Sequence, residues 1–373
     1  MDKVLSTLRV VEISGLGPGP FCAMHLADLG ADVISVGREG GAAEFKGSIL
    51  NRGKRSVSAD LKTPEGRELV LKLVENADVL IEGMRPGVME RLGLGPAECQ
   101  ARNPRLVYGR MTGWGQTGPL AKAAGHDNNY ISVSGALWPA GPADAPPVTP
   151  FTLVGDIGGG ALYLAVGLLS GVLQARATGK GTVVDAAILD GSAHMLNLML
   201  KARQAGVIGD RKGESIHDSS PFYETYRCAD GAHITIGSIE PQFYAMLLDA
   251  LGLKDDPDFQ GAQWDRAQWP RRRERLAAVF AGRSRAEWQA VFEGTDVCFG
   301  VVLSPVEAAQ HPHNQARGVY LEQDGVLQTA PAPRFDGQAY APGRMSANGE
   351  HTAEVAAALA SGDTQAVWRA RQG

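Results

Sequence analysis

The chain has 373 residues, of which 44% are hydrophobic and 21% charged, and its formal net charge is −5. This composition is typical of a globular protein of about two domains, and the acidic balance argues against nucleic acid as a partner. The four cysteines are scattered and show no metal-ligand spacing, which argues against a disulfide framework and a structural zinc site.

The sequence predicts neither secretion nor a membrane span. The first ten residues carry no basic stretch followed by an apolar one, so we expect a cytoplasmic protein. The most apolar segment, 158–173, is shorter than the roughly 18–20 residues that cross a bilayer, and charged residues bracket it. A buried helix is the better interpretation.

Short strand and helix patterns alternate along the first 190 residues. The predicted strands are 8–13, 31–36, 56–61, 77–81 and 106–110, and the predicted helices are 21–29, one opened by Thr63 and Pro64, and 158–177. Such alternation predicts an α/β fold, with a Rossmann-like large domain built on an open parallel sheet.

The glycine-rich turn after the first strand invites a dinucleotide-binding interpretation. Gly15, Gly17 and Gly19 do not have the spacing of that motif, however, and the prolines between them remove N–H donors. Arg38 follows the second strand where an acidic residue would hold a ribose, and an arginine there suits a phosphate. An NADP-binding oxidoreductase is therefore a competing hypothesis with weak support.

The predicted secondary structure and the charge content of the chain change after residue 220. Two strands, 223–228 and 233–236, are joined by an Ala-Asp-Gly turn, and 242–292 is helical and richer in charge. The basic run 271–275 is predicted to be a solvated helix face. These features indicate a second, smaller α+β domain.

One imidazole and one carboxylate stand beside glycine-rich backbone between residues 124 and 160. His126 lies in Gly-His-Asp-Asn-Asn-Tyr (125–130), and Asp156 in Gly-Asp-Ile-Gly-Gly-Gly (155–160). Each alone has an ordinary structural explanation, as a turn histidine or a helix cap. Together they suit an enzyme that takes a proton from one face of a carbon and returns it to the other.

Basic residues cluster in the first hundred positions of this acidic chain, which indicates a polyanionic small molecule, with solvated surface charge as the default explanation. The cluster comprises Arg38, Arg52, Lys54, Arg55, Lys62, Arg85 and Arg91.

Taken together, several segments resemble the family III CoA-transferases (CaiB/BaiF) and, within them, the α-methylacyl-CoA racemases. The matching segments are 12–21, 51–52, 59–62, 82–87, 125–130, 155–156, 221–231, 305–308 and 331–335, and they extend over nearly the whole chain. Two positions typical of the racemases are present, His126 and Glu240, whereas Asn128 and Lys54 depart from the usual pattern.

The resemblance implies an isomerase that epimerises 2-methylacyl-CoA thioesters by two-base proton transfer at C2. His126 and Asp156 would be the bases, and Glu240 would support the histidine. The implied CoA-binding residues are Arg38, Ala59, Leu61, Lys62, Gly83, Arg85, Arg91, Gly125 and Asp127. CoA is part of the substrate, and neither a cofactor nor a metal is expected.

The resemblance also implies an interlocked homodimer. The large domain would be 1–190 completed by 325–373, the small domain 222–320, and 191–221 a linker, with Glu240 of one chain reaching His126 of the other. Besides the NADP-binding oxidoreductase, two alternatives stay open: a family III CoA-transferase with Asp156 as nucleophile, and a non-catalytic acyl-CoA-binding protein. The acyl group stays open as well: a branched fatty acid, a bile-acid or sterol side chain, or a 2-arylpropionyl group.

Overall fold

The structure, a computed structural model, describes residues 3–38 and 48–368. The chain forms two compact units, the first within 1–136, 150–195 and 318–373, and the second within 137–149 and 196–317. The second unit thus includes the loop 137–149, which the sequence assigns to the large domain, and most of the segment predicted as a linker.

A six-stranded sheet forms the centre of the first unit. Its strands are β1 (Arg9–Ile13), β2 (Asp32–Gly37), β3 (Arg55–Ser58), β4 (Val79–Glu82), β5 (Val107–Thr112) and β6 (Val183–Ala187). All neighbours pair in parallel, in the order β3-β2-β1-β4-β5-β6. The prediction of an α/β fold with an open parallel sheet is confirmed, and the order is that of dinucleotide-binding folds.

Helices connect these parallel strands. They are α1 (Pro18–Asp28), α2 (Pro64–Val74), α3 (Val88–Arg91), α4 (Pro96–Arg102), α5 (Asp127–Ser134), α6 (Leu162–Thr178) and α7 (Ile188–Met195). The predicted start of α2 is confirmed, because Thr63 Oγ1 accepts a hydrogen bond from the N–H of Gly66 over 3.1 Å and Pro64 occupies the first turn.

A π-helical segment, Leu153–Ala161, runs directly into α6. Together they form a 26-residue helix that is long and apolar enough to cross a membrane by length and composition, so the sequence-based length argument was wrong. Leu164, Leu168 and Val172 are nevertheless buried in the core of the first unit. A buried helix remains the better interpretation, and a membrane span is not supported.

The second unit contains a three-stranded antiparallel sheet in the order β7-β8-β9. Its elements in chain order are α8 (Asn197–Gln204), α9 (Ile216–Ser219), β7 (Tyr223–Arg227), β8 (His233–Gly237), α10 (Pro241–Ala250), α11 (Trp269–Phe280), α12 (Arg285–Phe292), β9 (Phe299–Val301), α13 (Pro305–Gln310) and α14 (Pro312–Arg317). The predicted pairing of the two strands after residue 220 is confirmed.

The basic run at 271–275 is only partly a solvated face. Arg272 is buried, and its guanidinium donates hydrogen bonds to the backbone oxygens of Asp258, Gln260 and Ala262 at 2.9–3.0 Å. The helical period of 3.6 residues turns this one member of the run inward. The prediction was wrong for Arg272 because charge alone does not show which positions face the core.

The chain returns to the first unit through a hairpin, β10 (Tyr320–Gln323) and β11 (Val326–Thr329), followed by α15 (Thr352–Ala360). Arg52 anchors this segment by donating hydrogen bonds to Gln328 Oε1 and the Thr329 carbonyl, both over 2.8 Å. The C-terminal segment is thereby fixed beside β3.

Candidate active site

The carboxyl ends of β1 and β4 mark the point where the strand order reverses. From β1 the chain proceeds outward through β2 and β3, and it then crosses to β4 on the other side of β1. Open α/β sheets bind ligands outside the carboxyl ends of their strands at such a point. The loops that follow these strands are therefore where a ligand is expected.

Asp156 reaches this edge of the sheet from the π-helical segment. A Cβ placed on Gly17, in the loop after β1, would lie 3.3 Å from Asp156 Oδ2. Gly17 also has a φ of +67°, which favours glycine. The loop after β1 therefore passes close to the Asp156 carboxylate.

Asp127 links the two predicted bases. It follows His126 in the chain, and its Oδ1 accepts a hydrogen bond from the backbone N–H of Asp156 over 2.6 Å. The carboxylate of Asp127 is thus bonded within the protein, a contact that the sequence did not predict.

The backbone around His126 is fixed by the start of α5. The His126 N–H donates to Asn129 Oδ1 over 3.0 Å, and the His126 carbonyl accepts from the N–H of Asn129. His126 is exposed to solvent. Asp127 is the first residue of α5, where a backbone N–H has no acceptor within the helix.

The pKa of the Asp156 carboxyl lies well above its usual range. Partial burial, and secondarily the negative charge of Asp127, raises its pKa to about 6, while His126 acts in the opposite direction. A carboxyl with this pKa exists in both protonation states near neutral pH. It can therefore accept a proton from carbon or return one.

Tyr130 is a site residue whose role the sequence did not reveal, although it lies in the same glycine-containing segment as His126. Its hydroxyl donates to the carbonyl of Gly125, immediately before His126. Burial and the charge of Asp156 raise its pKa, with Arg85 opposing. Tyr130 is therefore close enough to Asp156 and Arg85 to sense both charges.

A buried ionic network lies under the loop after β4. Glu82 Oε2 accepts a hydrogen bond from the N–H of Met84 over 2.7 Å, and Glu82 Oε1 lies 3.5 Å from Arg110 Nε. Arg110 also pairs with Glu90 on α3. Burial raises the pKa of Glu82 to about 7. The network holds the start of the loop that carries Arg85.

The residues predicted to bind CoA follow the carboxyl ends of the parallel strands. Arg38 follows β2, Ala59, Leu61 and Lys62 follow β3, and Gly83, Arg85 and Arg91 follow β4, with Gly125 and Asp127 after β5. The cationic members all retain solvent exposure. They are available to an anionic ligand at this edge.

The remaining basic residues of the predicted cluster form ion pairs inside the protein. Arg52, Lys54 and Arg55 are buried. They form ion pairs, Arg52–Asp28 at 2.5 Å, Lys54–Glu12 at 2.7 Å and Arg55–Asp32 at 2.8 Å. Their inclusion in a polyanion-binding cluster was wrong, because each cation has a carboxylate partner inside the protein.

Glu240 belongs to the second unit, where it directly precedes α10 and is exposed. The preceding loop is held by Gln263 Nε2, which donates to the carbonyls of Ser238 and Ile239, and by Ser238 Oγ, which donates to the Val297 carbonyl. The carboxylate of Glu240 thus projects from a well-fixed turn.

A polar cleft of about 310 Å³ lies at the opposite edge of the parallel sheet, near Arg9, Asp78 and Arg105. These residues lie at or before the beginnings of β1, β4 and β5, so the cleft is separate from the candidate site. Among residues 3–38 and 48–368, no three or more His, Cys, Asp or Glu side chains are grouped to hold a metal ion.

Comparison with known proteins assigns the chain to a family. A profile of CoA-transferase family III matches residues 5–352. The chain belongs to CoA-transferase family III. Within this family it is similar to α-methylacyl-CoA racemase of Homo sapiens, with 42% identity over 94% of this chain and 92% of that protein. The racemase of Mus musculus is 41% identical over the same shares.

The family fold agrees with a solved structure. A CAIB/BAIF family protein from Brucella suis superimposes with a TM-score of 0.82 at 29% identity, over 96% of this chain and all of that one. The family III fold expected from the sequence motifs is confirmed.

Proposed function

We propose that this protein epimerises 2-methylacyl-CoA thioesters at C2. The observation that carries the proposal is the Asp127–Asp156 hydrogen bond, which joins the segment of His126 to a carboxylate whose pKa is about 6. The similarity to the racemases of mouse and man over 94% of the chain supports the same reaction. The protein is accordingly an isomerase.

The chemistry needs one base on each face of C2. The thioester carbonyl acidifies the C2 hydrogen, because loss of that proton gives an enolate. We assign one face to His126 and the other to Asp156: one takes the proton as the C–H bond breaks, and the other donates a proton to the opposite face. The two exchange roles for the other epimer, so the configuration at C2 inverts in either direction.

The enolate oxygen needs a hydrogen-bond donor. The N–H of His126 is engaged by Asn129 Oδ1, so we assign this role to the N–H of Asp127 at the start of α5. A helix N-terminus favours negative charge, and stabilising the charge that develops in the transition state usually contributes more to the rate than any other effect.

The CoA moiety is proposed to bind along the loops after β2, β3 and β4. Arg38, Lys62, Arg85 and Arg91 are accessible there, and guanidinium groups match phosphate oxygens in geometry. Ala59 and Leu61 offer apolar contact to the adenine.

We further propose a homodimer in which Glu240 of one chain supports His126 of the other. In the first unit, α6 exposes Leu162, Val166 and Leu173, and in the second unit α8 exposes Leu198 and Leu200. Leu162, Val166 and Leu173 are four and seven residues apart and therefore share one face of α6, and a contiguous exposed apolar face is typical of association surfaces. A carboxylate bonded to one ring nitrogen would fix the tautomer of the histidine and stabilise its charged form.

Solvent exchange tests the reaction directly. A 2-methylacyl-CoA is incubated with the enzyme in D₂O, and deuterium at C2 and the epimer ratio are followed by mass spectrometry and chiral chromatography. The wild type is expected to incorporate one deuterium while approaching an epimer mixture. His126→Ala and Asp156→Ala should each slow inversion by about 10²–10⁴-fold, whereas Glu322→Ala, an exposed residue of β10, should not.

The same assay distinguishes the transferase alternative. If no 2-methyl thioester is exchanged, but CoA passes to a free carboxylic acid and only Asp156→Ala abolishes that transfer, the protein is a CoA-transferase with Asp156 as nucleophile, and the epimerase proposal is wrong.

A further inference from the structure

The two proposed bases lie on separate stretches of chain, and the side chain of Asp127 connects these stretches. Asp127 is adjacent to His126 in sequence, and its carboxylate holds the backbone N–H of Asp156 at 2.6 Å. Asp127 is buried, with 8% of its surface exposed. Water therefore competes little for this bond, and hydrogen bonds to charged acceptors are the stronger kind.

Gly155, the residue before Asp156, leaves room for the side chain of Asp127. A Cβ on Gly155 would overlap the Oδ1 of Asp127 and would lie 2.9 Å from Ile131 Cγ2. Only glycine leaves room at this position for the buried carboxylate. The Gly-Asp pair thus has a packing reason that is independent of any ligand.

We propose that Asp127 is a positioning residue that fixes the Asp156 carboxyl relative to His126 through its hydrogen bond to the Asp156 backbone. This inference rests on the proposed epimerase function and extends it to a residue whose side chain contacts neither C2 nor the transferred proton. A two-base reaction requires both groups at defined distances from one carbon, so a link of this kind bears directly on rate.

Asp127 has a second, separable effect through its charge. Burial is the largest cause of the raised pKa of Asp156, and the negative charge of Asp127 is the second. The other groups that face Asp156 are His126, which opposes this shift, and the neutral phenol of Tyr130. Removing the charge of Asp127 disfavours the protonated form of Asp156, so the pKa of Asp156 should fall.

Two variants separate position from charge. Asp127→Asn keeps an oxygen that accepts the Asp156 N–H but removes the charge, whereas Gly155→Ala keeps every charge and displaces the hydrogen bond. Epimerisation by full-length protein is measured in both directions from pH 4.5 to 9. The ratio of kcat/KM in the two directions equals the equilibrium constant, which does not depend on pH. The two directions therefore have kcat/KM profiles of the same shape.

The expected results differ in kind. Asp127→Asn should move the acidic limb of the kcat/KM profile to lower pH, with kcat within about tenfold of the wild type. Gly155→Ala should lower kcat by about 10²-fold, and because the charge of Asp127 is retained, the acidic limb should shift less than in Asp127→Asn. Circular dichroism and thermal unfolding verify that each variant is folded.

A folded Gly155→Ala variant with wild-type kcat would overturn the positioning role, and an Asp127→Asn profile that coincides with that of the wild type would overturn the separate effect of charge. If Gly155→Ala does not fold, Asp127→Ala replaces it: this variant matches Asp127→Asn in charge but lacks the acceptor, so a kcat equal to that of Asp127→Asn would overturn the inference. Failure of the proposed function is recognised separately, because the wild type itself would then show no epimerisation.

Discussion

At the scale of single residues, Tyr130 determines the path of the backbone before His126. A Cβ on Gly113 or on Gly125 would overlap its ring, so the phenol is enclosed by two glycine segments. Trp114 packs edge-on against it, with ring centroids 4.8 Å apart. A tyrosine hydroxyl is protonated at neutral pH, where that of Tyr130 donates to the Gly125 carbonyl, and the raised pKa extends this state to more alkaline pH.

Tyr130→Phe is expected to slow inversion about tenfold, the effect of losing one hydrogen bond of about 1 kcal/mol. This bond holds the carbonyl of Gly125, directly before His126. For the epimer that presents its C2 hydrogen to Asp156, this base should therefore still remove the proton and return a deuteron to the same face. That epimer should keep incorporating deuterium while its configuration at C2 is retained. The measurement is the ratio of exchange to inversion for each epimer, and Tyr320→Phe on β10 is the matched control. An equal loss of exchange from both epimers would contradict this role.

The sequence pointed to His126 and Asp156 as candidate bases only through the family resemblance, since each alone has an ordinary structural explanation, and their roles stay a prediction. It was not sufficient for the contacts of Asp127 and Tyr130. Both side chains bond to backbone atoms, the N–H of Asp156 and the carbonyl of Gly125, and nearly every residue offers these atoms. Such contacts leave no trace in side-chain composition.

At the scale of elements, the loop after β4 is held at its start by the buried Glu82 and beyond its end by the pairing of Arg110 with the exposed Glu90. Glu82 bonds to the N–H of Met84 at its start, and Arg110 pairs with Glu90 on α3 beyond its end. Arg85 lies between these two anchors and is proposed to contact the CoA phosphates. The loop should therefore be ordered before the ligand binds, which lowers the entropy cost of binding.

Replacing Glu82 tests this anchor. Glu82→Ala removes the acceptor for Met84 and is expected to raise KM for the acyl-CoA about tenfold or more, with little change in kcat. Because burial already raises the pKa of Glu82 to about 7, a neutral side chain is compatible with the site. Glu82→Gln, which retains an acceptor oxygen, should therefore keep KM near that of the wild type at pH 6.5.

Steady-state kinetics with a soluble 2-methylacyl-CoA provide the measurement. A fall in kcat with unchanged KM for Glu82→Ala would show that the network acts on the chemical step instead of on the loop.

The elements themselves were largely predictable, with revealing exceptions. Runs of β-branched residues gave the strands of the parallel sheet because these strands are buried on both faces. The predicted helix 158–177 began too late, and the π-helical form of Leu153–Ala161 was missed, since this segment includes three consecutive glycines and carries no clear period. The ion pairs of Arg52, Lys54 and Arg55 were missed because partners such as Asp28 and Glu12 lie more than twenty residues away in sequence.

At the scale of the whole molecule, the sheet order and the C-terminal return define the first unit, whereas Glu240 belongs to the second. The family motifs extend over both units, which made the overall fold predictable from the resemblance. Periodicity alone did not assign 137–149 to the second unit, because a proline-rich loop has no pattern that reports its packing partner.

A complementation experiment tests the proposed dimer and its shared site together. His126→Ala and Glu240→Ala chains are co-expressed with different affinity tags, and the heterodimer is purified through both tags and sized by light scattering. If Glu240 supports His126 of the other chain, one site carries both substitutions and the other carries none. The heterodimer should then have about half the activity of the wild-type dimer, because one of two symmetric sites is intact.

The activities of the His126→Ala homodimer and the Glu240→Ala homodimer are the controls for the activity of the heterodimer. His126→Ala should be nearly inactive, and Glu240→Ala should be about tenfold or more below the wild type, through loss of a charged hydrogen bond. If each chain instead uses its own His126 and Glu240, every site in the heterodimer carries one defect. Its activity would then equal the mean of the two homodimers, and a monomer by light scattering would exclude the shared site altogether.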